Sequence, residues 1–152
     1  MRRRTVRRRG FTLVELMIVL AIVGLAATAV ILTAPDPRPT AAMAADRLVG
    51  RLANARAEAI LAGRPVALRL DGTGSAALRL GRAGDWAPLD GAGLAAEAWP
   101  EGVTPRLEAE ATRVTFDPTG LTDPQVLTLQ DERGGRAVVV VAATGEARRP
   151  QG

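Results

Sequence analysis

The order of apolar and polar positions divides the chain into segments with different periods. After a polar start, residues 11–32 read FTLVELMIVLAIVGLAATAVIL, 22 nearly all apolar positions with one charge, Glu15. As an α-helix rising about 1.5 Å per residue, this stretch is roughly 33 Å long, close to the thickness of a bilayer core. The next stretch, Ala34-Pro35-Asp36-Pro37-Arg38-Pro39, cannot continue that helix. Its alternate prolines remove N–H donors and hold the residues before them extended. Residues 35–39 are therefore read as a linker that can hinge the remainder of the chain on the apolar helix.

Past the linker the period is 3.6. Thr40 is the predicted N-cap of a second helix. Ala45, Leu48, Leu52, Ala55 and Ala59 fall on one face, and Val49 and Ile60 widen it. Asp46, Arg47, Arg51, Asn54 and Glu58 lie beside or opposite that stripe and are read as a solvated face. The small residues on the stripe predict close approach to a sheet. Gly63 is placed to end the helix and Pro65 prevents its resumption.

From Pro65 the period shortens towards two. Val66, Leu68 and Leu70 alternate with Ala67 and Arg69, and Asp71-Gly72-Thr73-Gly74-Ser75 turns the chain into a returning strand at 77–80. Gly72 and Gly74 make a hairpin turn rather than a phosphate loop, since no lysine and no helix follow. Short strands are predicted at 103–108 and 113–116, with Asp117-Pro118-Thr119-Gly120 a turn. A hairpin is predicted between 126–130 and 136–142. The run Val138–Val141 reads as a central strand covered on both faces. Trp86 is assigned to packing, because only four aromatics occur in the chain, and Trp99 is placed in a variable loop over 90–102. The fold class is α+β: a long apolar N-terminal helix, then an amphipathic helix on a mostly antiparallel β head, with two small sheets expected.

Charge changes the picture once it is partitioned. The formal net charge is +4, from 20 basic and 16 acidic residues. Six of the 20 are arginines within the first nine residues, so residues 11–152 carry 14 against 16, or −2. A basic start before an apolar helix predicts a cytoplasmic N-terminus, with the rest of the chain translocated. A cleaved secretory signal peptide is the plainer alternative, but the apolar stretch is long for one.

Composition removes much chemistry. There is no Cys, His or Lys, and Ser75 is the only serine. Disulfides, Cys/His zinc sites, Ser-His-Asp and Cys-His catalysis and lysine Schiff bases are excluded. Glu97, Glu101, Glu108 and Glu110 are the candidates for a pair of catalytic carboxylates, and their spacing is ordinary for the wet side of a sheet. Asp117, Asp123, Asp131 and Glu132 are separated by turns and are read as solubilising rather than metal-binding. No enzyme activity and no cofactor are expected.

Glu15 then stands out, because a carboxylate on a membrane helix costs a few kcal/mol and marks function. Cleavage after Gly10 would give Phe11 a new α-ammonium about one helical turn from Glu15. In parallel helices offset by roughly a turn, Glu15 of one subunit can meet the ammonium of its neighbour, so that neither charge is buried alone. The string Gly10-Phe11-Thr12-Leu13-Val14-Glu15, between a basic leader and an apolar helix, resembles the processing signal of type IV pilins and type II secretion pseudopilins. The resemblance implies a prepilin peptidase that cuts after Gly10 and methylates Phe11, with Glu15 as the assembly glutamate. ANARAEAILAGRPVALRL, a hairpin with a tryptophan, FDPTG and VVVVAATGEARR are similar to the head of H-type (GspH-like) minor pseudopilins.

That resemblance implies a leader at 1–10, a transmembrane and filament-core helix at 11–34, a linker at 35–39 and a periplasmic head at 40–152. It implies a single-pass inner-membrane protein that later enters a pseudopilus and helps drive folded proteins across the outer membrane. The implied partners are other minor pseudopilins, the major pseudopilin, the prepilin peptidase/methyltransferase and the inner-membrane assembly platform. The alternative is a minor type IV pilin of a DNA-uptake system, with Arg133, Arg136, Arg148 and Arg149 contacting DNA. The net charge of −2 after the leader and the lack of interleaved aromatics argue against nucleic acid.

Overall fold

The computed structural model describes residues 13–33, 39–91, 93–106 and 111–150. The chain separates into two units, Met1–Pro37 and Arg38–Gly152. In the first, α1 runs Leu13–Thr33. The second, the head, holds one helix and nine strands among its described residues.

Helix α2 spans Ala41–Ala62. Thr40 caps it as predicted, its hydroxyl accepting from the Met43 N–H at 3.2 Å. Gly63 ends it in the left-handed conformation at φ 59°, where a side chain would be strained. The predicted stripe of Ala45, Leu48, Leu52, Ala55 and Ala59 is buried throughout, joined by Ala41 and Ala44. Two positions differ from the pattern. Ile60 does not widen the stripe but is 46% exposed, and Arg51 is buried rather than solvated.

Both sheets are antiparallel, as the alternating pattern requires. In the first, β1 (Val66–Asp71) lies between β2 (Gly74–Leu80) and β6 (Ala111–Phe116). The outer side of β2 carries β3 (Trp86–Pro88) and β4 (Glu97–Ala98). The second sheet has the order β5-β7-β8-β9, formed by Val103–Arg106, Gln125–Asp131, Arg136–Val141 and Ala147–Arg148. The predicted 126–130/136–142 hairpin is the β7–β8 pair, with Val126 opposite Val140 and Thr128 opposite Val138. The strand at Val138–Val141 is central, but it is not covered on both faces. Val139 and Val141 are buried, whereas Val138 points outward and is 37% exposed.

Helix α2 packs on β1 and β6 of one sheet and on β7, β8 and β9 of the other. A single core results, with Phe116, Leu48, Leu52, Leu68, Leu70 and Leu129 its largest fully buried side chains. Alanines on the stripe let the helix axis come close to both sheets, which compensates for the scarcity of aromatics. Arg56 on α2 donates through Nε to the carbonyl of Gly120 at 3.2 Å. Gly145 lies directly against that carbonyl and against Arg56, and its φ is +78°. The FDPTG turn and the ATG turn before β9 thus meet on one helix residue, where no side chain has room at position 145.

Three carboxylates organise turns. Asp71 accepts from Thr73 Oγ1 and from the N–H groups of Thr73 and Gly74. Asp117 accepts from Thr119 Oγ1 and from the N–H groups of Thr119 and Leu121. Asp131 accepts from Arg133 and Gly135 N–H in its own hairpin and from Ala41 N–H at 3.1 Å, so the β7–β8 turn caps the start of α2. Asp117 and Asp131 therefore hold turns and are not merely solubilising. The Thr73, Thr119 and Ala41 hydrogen bonds respectively are the main causes that hold Asp71, Asp117 and Asp131 below the ordinary value of 3.8.

A lowered folded pKa stabilises the fold fully above the unfolded value, and that stabilisation is lost as pH falls through the folded value. The head is therefore expected to keep its stability down to about pH 4 and to lose it progressively below. Replacing Asp131→Ala lowers the melting temperature at neutral pH, and the gap to the parent closes as the solution is acidified to about pH 2. A gap that stays constant with pH would show that the carboxylate contributes no charge-dependent capping.

Candidate assembly helix and head surfaces

Helix α1 presents aliphatic side chains in every direction. Leu13, Val14, Leu16, Met17, Ile18, Val19 and Leu20 are each at least 45% exposed. Successive residues turn by about 100°, so these side chains surround the helix and leave it no broad polar face. Farther along α1, Thr28 donates its hydroxyl back to the Gly24 carbonyl at 2.9 Å. Glu15 lies in the first turn, where the unpaired N–H groups of the helix start favour a carboxylate. Among the described residues no helix is long and apolar enough to cross a membrane. Gly10 and Phe11, the processing residues, lie outside the described residues, as does most of the 35–39 linker.

In the head, Arg51 is the residue that sequence reasoning missed. It is 8% exposed and reaches from α2 under the 91–98 segment. Nη1 donates to Glu97 Oε2 at 3.0 Å and to the Gly93 carbonyl at 3.3 Å. Nη2 donates to the carbonyls of Ala95 at 2.8 Å and Ser75 at 3.3 Å. One guanidinium therefore fastens an irregular loop to both the helix and β2. Nothing in the helical period could have revealed this, because the carbonyls come from residues 24 to 44 positions away.

Both tryptophans are partly buried, and Trp99, placed in a variable loop by its sequence, packs against the core. Trp99 donates from Nε1 to the Asp71 carbonyl at 2.7 Å. Trp86 lies under the Arg113 guanidinium, 5.0 Å from the ring centroid.

Of the candidate carboxylates, Glu97 and Glu101 line different cavities. Glu97 is engaged by Arg51, and Glu101 lines a separate cleft of about 290 Å³ with Asp131, Glu132 and Arg133. Glu108 and Glu110 lie outside the described residues. Among the described residues no three acidic side chains are grouped to hold a metal ion.

The four arginines considered for DNA are only partly brought together. Arg133 and Arg136 belong to the β7–β8 hairpin, and Arg148 sits opposite Val140, farther along β8. Arg149 instead turns onto α2, its Nε 2.7 Å from Asp46. This pair lowers the Asp46 pKa and raises that of Arg149, chiefly through their mutual hydrogen bond.

The family model described as type II transport protein GspH matches residues 44–145, from the first turn of α2 to the turn before β9. The chain belongs to the GspH family. A second model, the prokaryotic N-terminal methylation motif, matches residues 6–31, which include Gly10, Phe11 and Glu15. No curated protein matches the chain by sequence.

Solved structures share the fold. The minor pseudopilin EpsH of the Vibrio cholerae type 2 secretion system has a TM-score of 0.62 at 20% identity, over 74% of this chain and 97% of that one. The type IV minor pilin FimU of Pseudomonas aeruginosa gives 0.58 at 18%, over 73% and 88%. E. coli GspH gives 0.57 at 19%, over 70% and 84%. The α2 helix on two antiparallel sheets is thus the pilin-like head of the GspH family, whose model is described as a type II transport protein.

Proposed function

We propose that this GspH-type chain is made as an inner-membrane precursor, cut after Gly10, methylated on Phe11 and then drawn into a pseudopilus. The apolar stretch 11–32 holds the precursor in the bilayer with its arginine-rich start in the cytoplasm and its head in the periplasm. On assembly the same surface exchanges lipid for neighbouring helices. Glu15 of one subunit then meets the Phe11 ammonium of the next. The head supplies contacts with other pseudopilins, and growth of the filament moves folded proteins outward. The chain itself catalyses nothing; it is the substrate of the peptidase/methyltransferase and a passenger of the assembly platform.

One juxtaposition carries this reading: a helix that is apolar on every side, with Glu15 in its first turn, next to Gly10-Phe11 and joined to a GspH head. Deleting the gene in a secreting bacterium is expected to leave exoproteins folded in the periplasm, with wild-type chain restoring export. Export that continues unchanged while DNA uptake or pilus formation is lost would favour the type IV minor pilin reading, for which the fold likeness to FimU speaks.

A further inference from the structure

The outward face of the second sheet has an unusual composition. Strand alternation sends Val103, Leu127, Leu129, Ala137, Val139 and Val141 into the core, all buried. The opposite face of β5, β7, β8 and β9 has nine positions: three arginines, three valines, two threonines and one glutamine. Among the described residues no carboxylate stands on it. Val126 and Val140 are cross-strand neighbours, with Val138 two residues away on the same side, and Val126 is 67% exposed. Arg106, Arg136 and Arg148, all exposed, come from three different strands around this strip. Arg106 is held in place by donating through Nε to Gln130 Oε1 at 2.7 Å.

We infer that this face docks the head of a neighbouring pseudopilin through a surface that carries aliphatic side chains flanked by carboxylates. Aliphatic strip and cationic border together define the complement. Valines gain from burial only against apolar groups, and three clustered arginines call for acidic partners. A second copy of the same face is repelled by six like charges. A phosphate backbone would use the arginines but leave the valines without a counterpart, and no aromatic is present for bases to stack on. The inference rests on the filament reading above, and it adds which face of the head is used and what chemistry it meets.

The test uses the full-length chain in its own membranes, where processing at Gly10 is read separately by mass. The triple variant Arg106→Glu, Arg136→Glu, Arg148→Glu is expected to be processed normally and to melt within a few degrees of the parent. Its co-purification with other pseudopilins should fall by about tenfold or more. The control, Arg69→Glu with Arg79→Glu on the first sheet, should co-purify as the parent does. A photo-crosslinking residue at Val138 should yield an adduct with another pseudopilin, and charge reversal on that partner should restore the triple variant. The proposal is overturned if the triple variant co-purifies like the parent. It is equally overturned, in favour of nucleic acid, if the triple substitution abolishes DNA binding at low salt and leaves co-purification intact. A parent chain that co-purifies with no pseudopilin at all overturns the filament reading itself, and the face with it.

Discussion

Replacing Glu15→Leu is expected to leave cleavage after Gly10 intact and to reduce incorporation into the filament by about a hundredfold or more. The neutral helix inserts into a bilayer more readily, so membrane anchoring survives or improves. What fails is assembly. The new ammonium on Phe11 of each added subunit needs a counter-charge when it leaves the headgroup region for a dry bundle of helices. Removing one partner of a buried pair leaves the other uncompensated, at about 3–5 kcal/mol. Glu15→Asp keeps the charge but shortens its reach, and should retain part of the incorporation. Measuring processed and filament-borne chain in the same cells separates the two steps. Incorporation of Glu15→Leu at the parent's level would show that the carboxylate has no pairing role.

The second large effect lies in the head. Arg51→Ala removes the guanidinium that binds three carbonyls and Glu97. The 91–98 segment has few other ties to the core: Leu94 is its one fully enclosed apolar side chain among the described residues. Buried carbonyls left without donors cost about 1–3 kcal/mol each unless water reaches them, and water can enter here because Glu97 is 46% exposed. A net loss of about 2–4 kcal/mol is expected, lowering the melting temperature by about 10 °C or more. Arg51→Lys supplies charge but not the planar fork and should recover only part. Hydrogen exchange should rise first in 91–98 and at the β2–β4 pairing. A melting temperature unchanged in Arg51→Ala would mean that the loop is held by its own turns.

These residues also mark how far the sequence could be read. Helix α2 was legible because alanine and leucine recur at its own period, with Thr40 and Gly63-Arg64-Pro65 as punctuation. The β7–β8 hairpin was legible because Asp131 to Gly135 can only turn. Local rules act within a few residues, and each of these features is local. Arg51, Asp131 and Arg56 escaped because their partners are remote. Arg51 has the spacing of a solvated position until the 91–98 loop covers it. Asp131 has the look of a turn residue, yet its carboxylate also caps a helix 90 residues earlier. The valine run at 138–141 suggested a doubly covered strand because β-branched residues favour any strand. Only the tertiary structure shows that Val138 faces outward while Val139 and Val141 face the core. The residues proposed for processing and assembly, Gly10, Phe11 and Glu15, are neighbours in sequence and fall within 6–31, the stretch that the N-terminal methylation motif matches.

Cleavage after Gly10 is the step by which we propose that this chain becomes a filament subunit. The mass and first residue of the mature protein, extracted from native membranes, test it most directly. Cleavage there predicts a chain beginning at Phe11, 142 residues long, with one added methyl group on its amino terminus. A mature chain that begins beyond the apolar stretch would contradict it, because Glu15 and the helix that carries it would have been discarded.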